Sequence, residues 1–136
     1  MAKLTTIEGV GEKYAEKLKN AGVTTTDKLL EMGETPKGRK DIAEKSGISG
    51  KLILTWVNHV DLFRINGVRG QYAELLEDAG VDTVKDLARR NAENLTKKME
   101  EVNEAGGKKI VQQVPVLSQV EKWIAEAKKL PRKVQY

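Results

Sequence analysis

The chain has 136 residues, 39% of them hydrophobic, with no cysteine and one histidine. That is enough apolar material for an unaided core. The missing thiols exclude disulfides and thiolate chemistry, and a lone His59 excludes a histidine-rich zinc site, so no metal and no cofactor is expected. The formal charge of +4, from 24 basic and 20 acidic residues, leans toward acidic partners but describes a mixed surface and not a polycation. Met1-Ala2-Lys3-Leu4 opens straight into patterned sequence without an apolar signal core, and no long apolar run follows. A cytoplasmic protein that does not enter membranes is the expectation.

In chain order, the first pattern met is one half of a duplication. Residues 7–30 align without gaps on residues 65–88, with half the positions identical. Ile7/Ile65, Gly9/Gly67, Val10/Val68, Tyr14/Tyr72, Leu18/Leu76, Gly22/Gly80 and Val23/Val81 are among the matches. In each copy an apolar residue and a glycine turn precede a helix, and Gly22 or Gly80 stops that helix as the residue after its cap. Thr24 to Asp27, and Asp82-Thr83, then offer side-chain oxygens to start a short second helix.

Thr35-Pro36 reads as a cap and first-turn proline for a helix over 39–46. Gly47-Ile48-Ser49-Gly50 makes a second tight turn, and a longer helix spans 51–62. The second half predicts a helix over 91–103, a break at Ala105-Gly106-Gly107, a further helix ended by Pro115, and a capping box of Ser118 with Glu121 for a helix over 119–129. Trp56 and Trp123 fall late in their halves, 67 positions apart, so the second copy carries about nine extra residues. Strand-type alternation is nearly absent. The expectation is an all-α protein with two units, 1–63 and 64–130, followed by a frayed basic tail over 131–136.

Ile7-Glu8-Gly9-Val10-Gly11, followed by Ala15 and Leu18, resembles the helix-hairpin-helix motif, whose two helices are joined by a Gly, aliphatic, Gly loop. Over nearly the whole chain the pattern is similar to a family of tandem helix-hairpin-helix proteins of unknown function, notably in Gly47-Ile48-Ser49, Lys51 to Leu54, Trp56-Val57, Asp61-Leu62, Arg64-Ile65 and Ala79 to Val84. The resemblance implies about eight short helices in pseudo-symmetric, SAM-like units. It also implies non-specific binding of nucleic acid, DNA before RNA; no residue set for catalysis stands in the sequence, so no enzymatic activity is expected. Physically, glycines let loop amides and the first amides of the following helix converge on a phosphate oxygen, giving sequence-independent, salt-sensitive binding.

The candidate binding residues are Gly9, Val10, Gly11 and Lys13 in the first hairpin, with Val10 anchoring the loop in the core. Gly67, Val68, Arg69 and Gly70 are their counterparts, where Arg69 in place of Gly11 predicts a different loop geometry. Arg69 reads either as a guanidinium for the phosphate or as a solvated surface charge. Gly47, Ser49, Gly50 and Lys51 form a third candidate, with Ser49 as cap, and Gly106-Gly107-Lys108-Lys109 a fourth and weakest. Each of these turns also reads as a plain tight connection between helices.

Basic clusters at 37–40, 89–90, 97–98, 108–109 and 128–133 could meet phosphates, although neighbouring acids make most of them ordinary solvated faces. His59 reads as a packing or surface residue and not as a general base, and Trp56 and Trp123 read as core. Glu8, Glu12 and Glu16 lack the companions of a nuclease metal site. No strand precedes Gly9-Val10-Gly11, which removes a dinucleotide reading. The competing function is a protein-interaction module on the same scaffold.

Overall fold

The computed structural model of the chain describes residues 3–105 and 109–136. Gly106 and Gly107 of the expected helix break, and with Lys108 three of the four residues of the fourth candidate turn, lie outside them. Among the described residues the fold is all-helical without a strand: a short 3-10 turn, Leu4–Thr6, then α1 (Glu12–Asn20), α2 (Thr26–Met32), α3 (Pro36–Ser46), α4 (Gly50–Leu62), α5 (Gly70–Asp78), α6 (Val84–Ala88), α7 (Ala92–Ala105) and α8 (Leu117–Lys129). The chain divides into one unit of Met1–Asp61 with Lys133–Tyr136, and a second of Leu62–Arg132.

In the first unit, α1 packs on α3 and on the 3-10 turn, and α2 packs on α3. Ile7, Leu18, Val23, Leu29, Ile42, Ile53, Trp56 and Val57 are buried together as its apolar interior. α1 ends as the sequence predicts. The Gly22 N–H donates to Lys19 O at 2.9 Å and the Val23 N–H to Leu18 O at 2.9 Å, a paired closure made possible by Gly22 at φ +89°. Thr25 caps α2 by accepting from the Lys28 N–H, and Thr35 caps α3 by accepting from the Gly38 N–H, ahead of Pro36 in the first turn.

The second unit repeats this construction. Gly80 stands at φ +94°, and the Gly80 and Val81 N–H groups donate to Glu77 O and Leu76 O at 2.9 and 2.8 Å. Thr83 caps α6. α8 packs on α6 and α7, and α5 on α7, around Leu76, Leu87, Met99, Val120 and Trp123.

Three expectations change here. Residues 109–116 carry no helix. They are pinned by the buried Asn103, which accepts from the Ile110 and Val111 N–H groups at 2.8 and 2.9 Å and donates to Val111 O at 3.1 Å. These bonds satisfy the backbone that a helix would otherwise have satisfied. The capping box is not made: α8 starts earlier, at Leu117, and Val116 O receives the Gln119 and Val120 N–H groups, leaving Ser118 inside the helix and not at its cap.

Nor does the chain's last segment fray. Val134 is 1% exposed, the Gln135 N–H donates to Glu34 O at 2.7 Å, and the Tyr136 hydroxyl donates to Asn58 Oδ1 at 3.1 Å. Arg39 completes this dock, donating to Gly33 O and Gln135 O at 2.8 and 2.7 Å. A buried guanidinium needs such acceptors, and burial still holds its pKa below the ordinary arginine value. Arg39, read from sequence as part of a phosphate-facing cluster, is thereby committed to the interior of the first unit.

Candidate functional site

The two glycine turns of the duplication share one backbone geometry. In the first, the Val10 N–H closes on Ile7 O at 3.1 Å, with Gly9 in third position at φ +88°. In the second, the Val68 N–H closes on Ile65 O at 3.1 Å around Gly67 at φ +89°. This is the arrangement of a type II turn, whose third position requires a positive φ and hence glycine. Val10 and Val68 are buried at 4% and 0% exposure, so each turn is anchored in its own core, as expected for Val10.

Gly11 and Arg69 follow as the cap residues of α1 and α5, and neither makes a side-chain capping bond. The sequence expectation that Arg69 would change the loop is corrected here. Gly11 sits at φ −90° and Arg69 at φ −139°, both extended conformations open to any residue, and a Cβ added at Gly11 would meet nothing within 4 Å. Position 11 therefore tolerates a side chain, and the special backbone demand falls on Gly9 and Gly67 alone. α1 and α5 thus each present first-turn amides without an intrahelical acceptor, next to a glycine turn.

The two copies differ in charge. Glu8 and Glu12 flank the first turn, with Lys13 and Lys17 exposed on α1. At the matching positions the second turn has Asn66, Gly70, Gln71 and Leu75, leaving its first helical turn without an acid. Arg69 is exposed but folded back. It donates to Phe63 O and Val68 O, both at 2.7 Å, and its guanidinium lies 5.6 Å from the centre of the Phe63 ring.

Each turn also faces a tryptophan, a relation that the sequence reading missed. The first atom that a Cβ at Gly9 would meet is Trp56 Nε1, at 3.8 Å; at Gly67 it is Trp123 Nε1, at 3.5 Å. The rings are held edge-on by the repeat tyrosines: Tyr14 to Trp56 at 5.1 Å and 61°, Tyr72 to Trp123 at 5.8 Å and 62°. Both tryptophans are 2% exposed and belong to the cores, as the sequence indicated. The signal was present in the two Tyr and two Trp positions, but their offsets differ, 58 for Tyr and 67 for Trp, which hid the pairing.

The third candidate is built differently. Gly47 ends α3 in the left-handed region at φ +74°, Ile48 is buried, and Ser49 caps α4 by accepting from the Leu52 N–H at 3.2 Å. Gly50 and Lys51 open α4, and Lys51 is exposed. The third amide of α4 is therefore satisfied by a side chain, whereas the third amide of α5, that of Tyr72, donates to the backbone carbonyl of Arg69 at 2.8 Å and the amides of Gly70 and Gln71 precede it. His59 is 3% exposed, inside the first unit. Burial and the neighbouring carboxylates of Asp86 and Glu77 raise the Asp82 pKa, although Arg90 opposes them.

Beside the second turn lies a groove of about 460 Å³ lined by Asn66, Ser118, Gln119, Lys122, Trp123 and Glu126. Among the described residues no helix is long and apolar enough to cross a membrane, and no group of three His, Cys, Asp or Glu side chains is placed to hold a metal.

The family described as a domain of unknown function (DUF4332) matches residues 8–130, and the chain belongs to it. Nothing among the curated proteins or the solved structures matches the chain.

Proposed function

We propose that the chain binds nucleic acid, DNA before RNA, through the phosphates of its backbone, using two glycine turns that act as helix-hairpin-helix loops. The observation that carries this reading is the repeated pairing of a positive-φ glycine, Gly9 or Gly67, with an uncapped helix start. Amides of the turn and of the first helical turn would donate to phosphate oxygens, aided by the partial positive charge of the helix terminus. Lys13 supplies a cation at the first turn; Arg69 does so at the second if it leaves the Phe63 carbonyl. Contacts of this kind recognise phosphate spacing and not base edges, so the binding is sequence-independent and weakens with salt.

Gly11→Glu tests the reading without disturbing the fold, because position 11 is extended and open. It places a carboxylate where the phosphate would sit. Fluorescence anisotropy on a labelled strand should show weaker binding by Gly11→Glu and by Arg69→Glu, and weaker still by the double variant. Unchanged affinity in the double variant would refute the proposal. A protein-interaction role draws on a separate observation, the exposure of the adjacent apolar residues Val116 (56%) and Leu117 (38%) ahead of and at the start of α8. A complex lost on Leu117→Lys yet insensitive to Gly11→Glu would favour that role.

A further inference from the structure

The groove beside Gly67 has a chemistry that phosphate binding does not use. Ser118, Gln119, Lys122, Trp123 and Glu126 recur at helical spacing, so one face of α8 supplies five of its six lining residues. Trp123 is almost wholly buried, yet it is the Nε1 corner of its ring that faces the bare Cα of Gly67. Among the described residues the indole N–H has no acceptor. Opposite in character is Glu126, whose two oxygens accept from the Asn66 backbone amide at N···O distances of 3.3 and 3.4 Å. Both contacts are long for hydrogen bonds, so the carboxylate retains capacity to accept.

A donor that cannot rotate away, a carboxylate, two carboxamides and an ammonium thus line one opening. A second phosphate is disfavoured there by the Glu126 charge, and an apolar guest finds too few apolar walls. A neutral group presenting N–H donors and a carbonyl acceptor side by side fits both ends of the polarity. The Watson–Crick edge of a nucleobase is such a group. A volume of about 460 Å³ lies in the range of small-ligand sites.

We infer that this groove receives one unpaired nucleobase of a strand whose phosphate sits at the start of α5, with Trp123 Nε1–H donating to a base carbonyl and Glu126 accepting from base N–H groups. This rests on the phosphate reading above and sharpens it. A base already paired in a duplex has no free edge to offer, so the second unit prefers single strands.

With only two tryptophans in the chain, the test is an NMR titration following the two indole N–H signals of the full chain, assigned with Trp56→Phe. The probes are a mixed-sequence 12-nucleotide single strand and the same strand annealed to its complement. The expected result is a larger shift of the Trp123 signal with the single strand than with the duplex. In parallel anisotropy measurements, Glu126→Gln should lower the preference for single strand over duplex about three- to tenfold, the scale of one hydrogen bond. If both forms bind while the Trp123 signal stays still and Glu126→Gln changes nothing, the groove assignment is overturned and the phosphate reading stands. If neither form binds, both fall.

Discussion

The two copies of the duplicated segment hold the same backbone with different side chains. Gly9 and Gly67 stand within one degree of each other in φ, at +88° and +89°, and both turns close through the same hydrogen bond. Two residues later the copies part, Gly11 against Arg69, and the backbone does not notice because that position is extended in both. At this position the copies diverge without a backbone cost, whereas at another they diverge in packing, since exposed Lys17 has the wholly buried Leu75 as its counterpart. The first turn carries Glu8 and Glu12, and the second carries neither. The backbone of the turn is shared by the copies while the charge around it differs.

The equivalence can be broken most forcefully in the cores. Leu18 and Leu76 are both wholly buried at matching positions. Leu18→Ala and Leu76→Ala should each cost about 2–5 kcal/mol in urea unfolding; a large cost in only one copy would show that the copies are not packed alike. Next in size is a difference the comparison already contains, the extra stretch of the second copy that Asn103 pins. Asn103→Ala leaves the Ile110 and Val111 amides without that acceptor and should destabilise by about 1–3 kcal/mol. The same measurement should show Gly9→Ala and Gly67→Ala costing about 1–2 kcal/mol each, since alanine resists a positive φ. Gly11→Ala and Arg69→Ala should stay within about 0.5 kcal/mol.

The smallest effect concerns pH. Asp82 has the uncharged Thr24 as its counterpart, and burial, Asp86 and Glu77 raise its pKa when folded. A raised carboxyl pKa means that the folded state holds the proton more tightly. Stability from this group is therefore present below the unfolded pKa and lost as pH rises through the folded one. Asp82→Asn should raise the melting temperature slightly at neutral pH and not under acid conditions. Thr24→Asn should show no such pH dependence, and equal behaviour of the two variants would contradict this origin.

Much of the fold was legible because its signals are local. Gly22 and Gly80 each permit the positive φ that ends a helix, Thr25, Thr35 and Thr83 each offer an oxygen to a nearby amide, and Pro36 cannot lie deeper in a helix. What escaped depends on distant partners. The expected helix before Pro115 is replaced by backbone held by Asn103, several residues earlier in the chain, and the tail is captured by Arg39 and by the buried Val134. Both are tertiary contacts without a periodic signature. At the candidate site the glycines were found, but their roles were not. Nothing in the sequence of Gly9-Val10-Gly11 says that only the first glycine needs a positive φ, nor that a tryptophan late in the unit turns its N–H corner toward that same glycine.

The most direct test of nucleic-acid binding by these two turns is fluorescence anisotropy of a labelled single strand and duplex titrated with the intact chain at low and moderate salt. The reading predicts saturable binding at low salt, with log affinity falling against log salt at a slope of about −1 to −3, as a few released counterions require. Absence of binding to either form at low salt would contradict it and leave the duplicated scaffold to a protein partner.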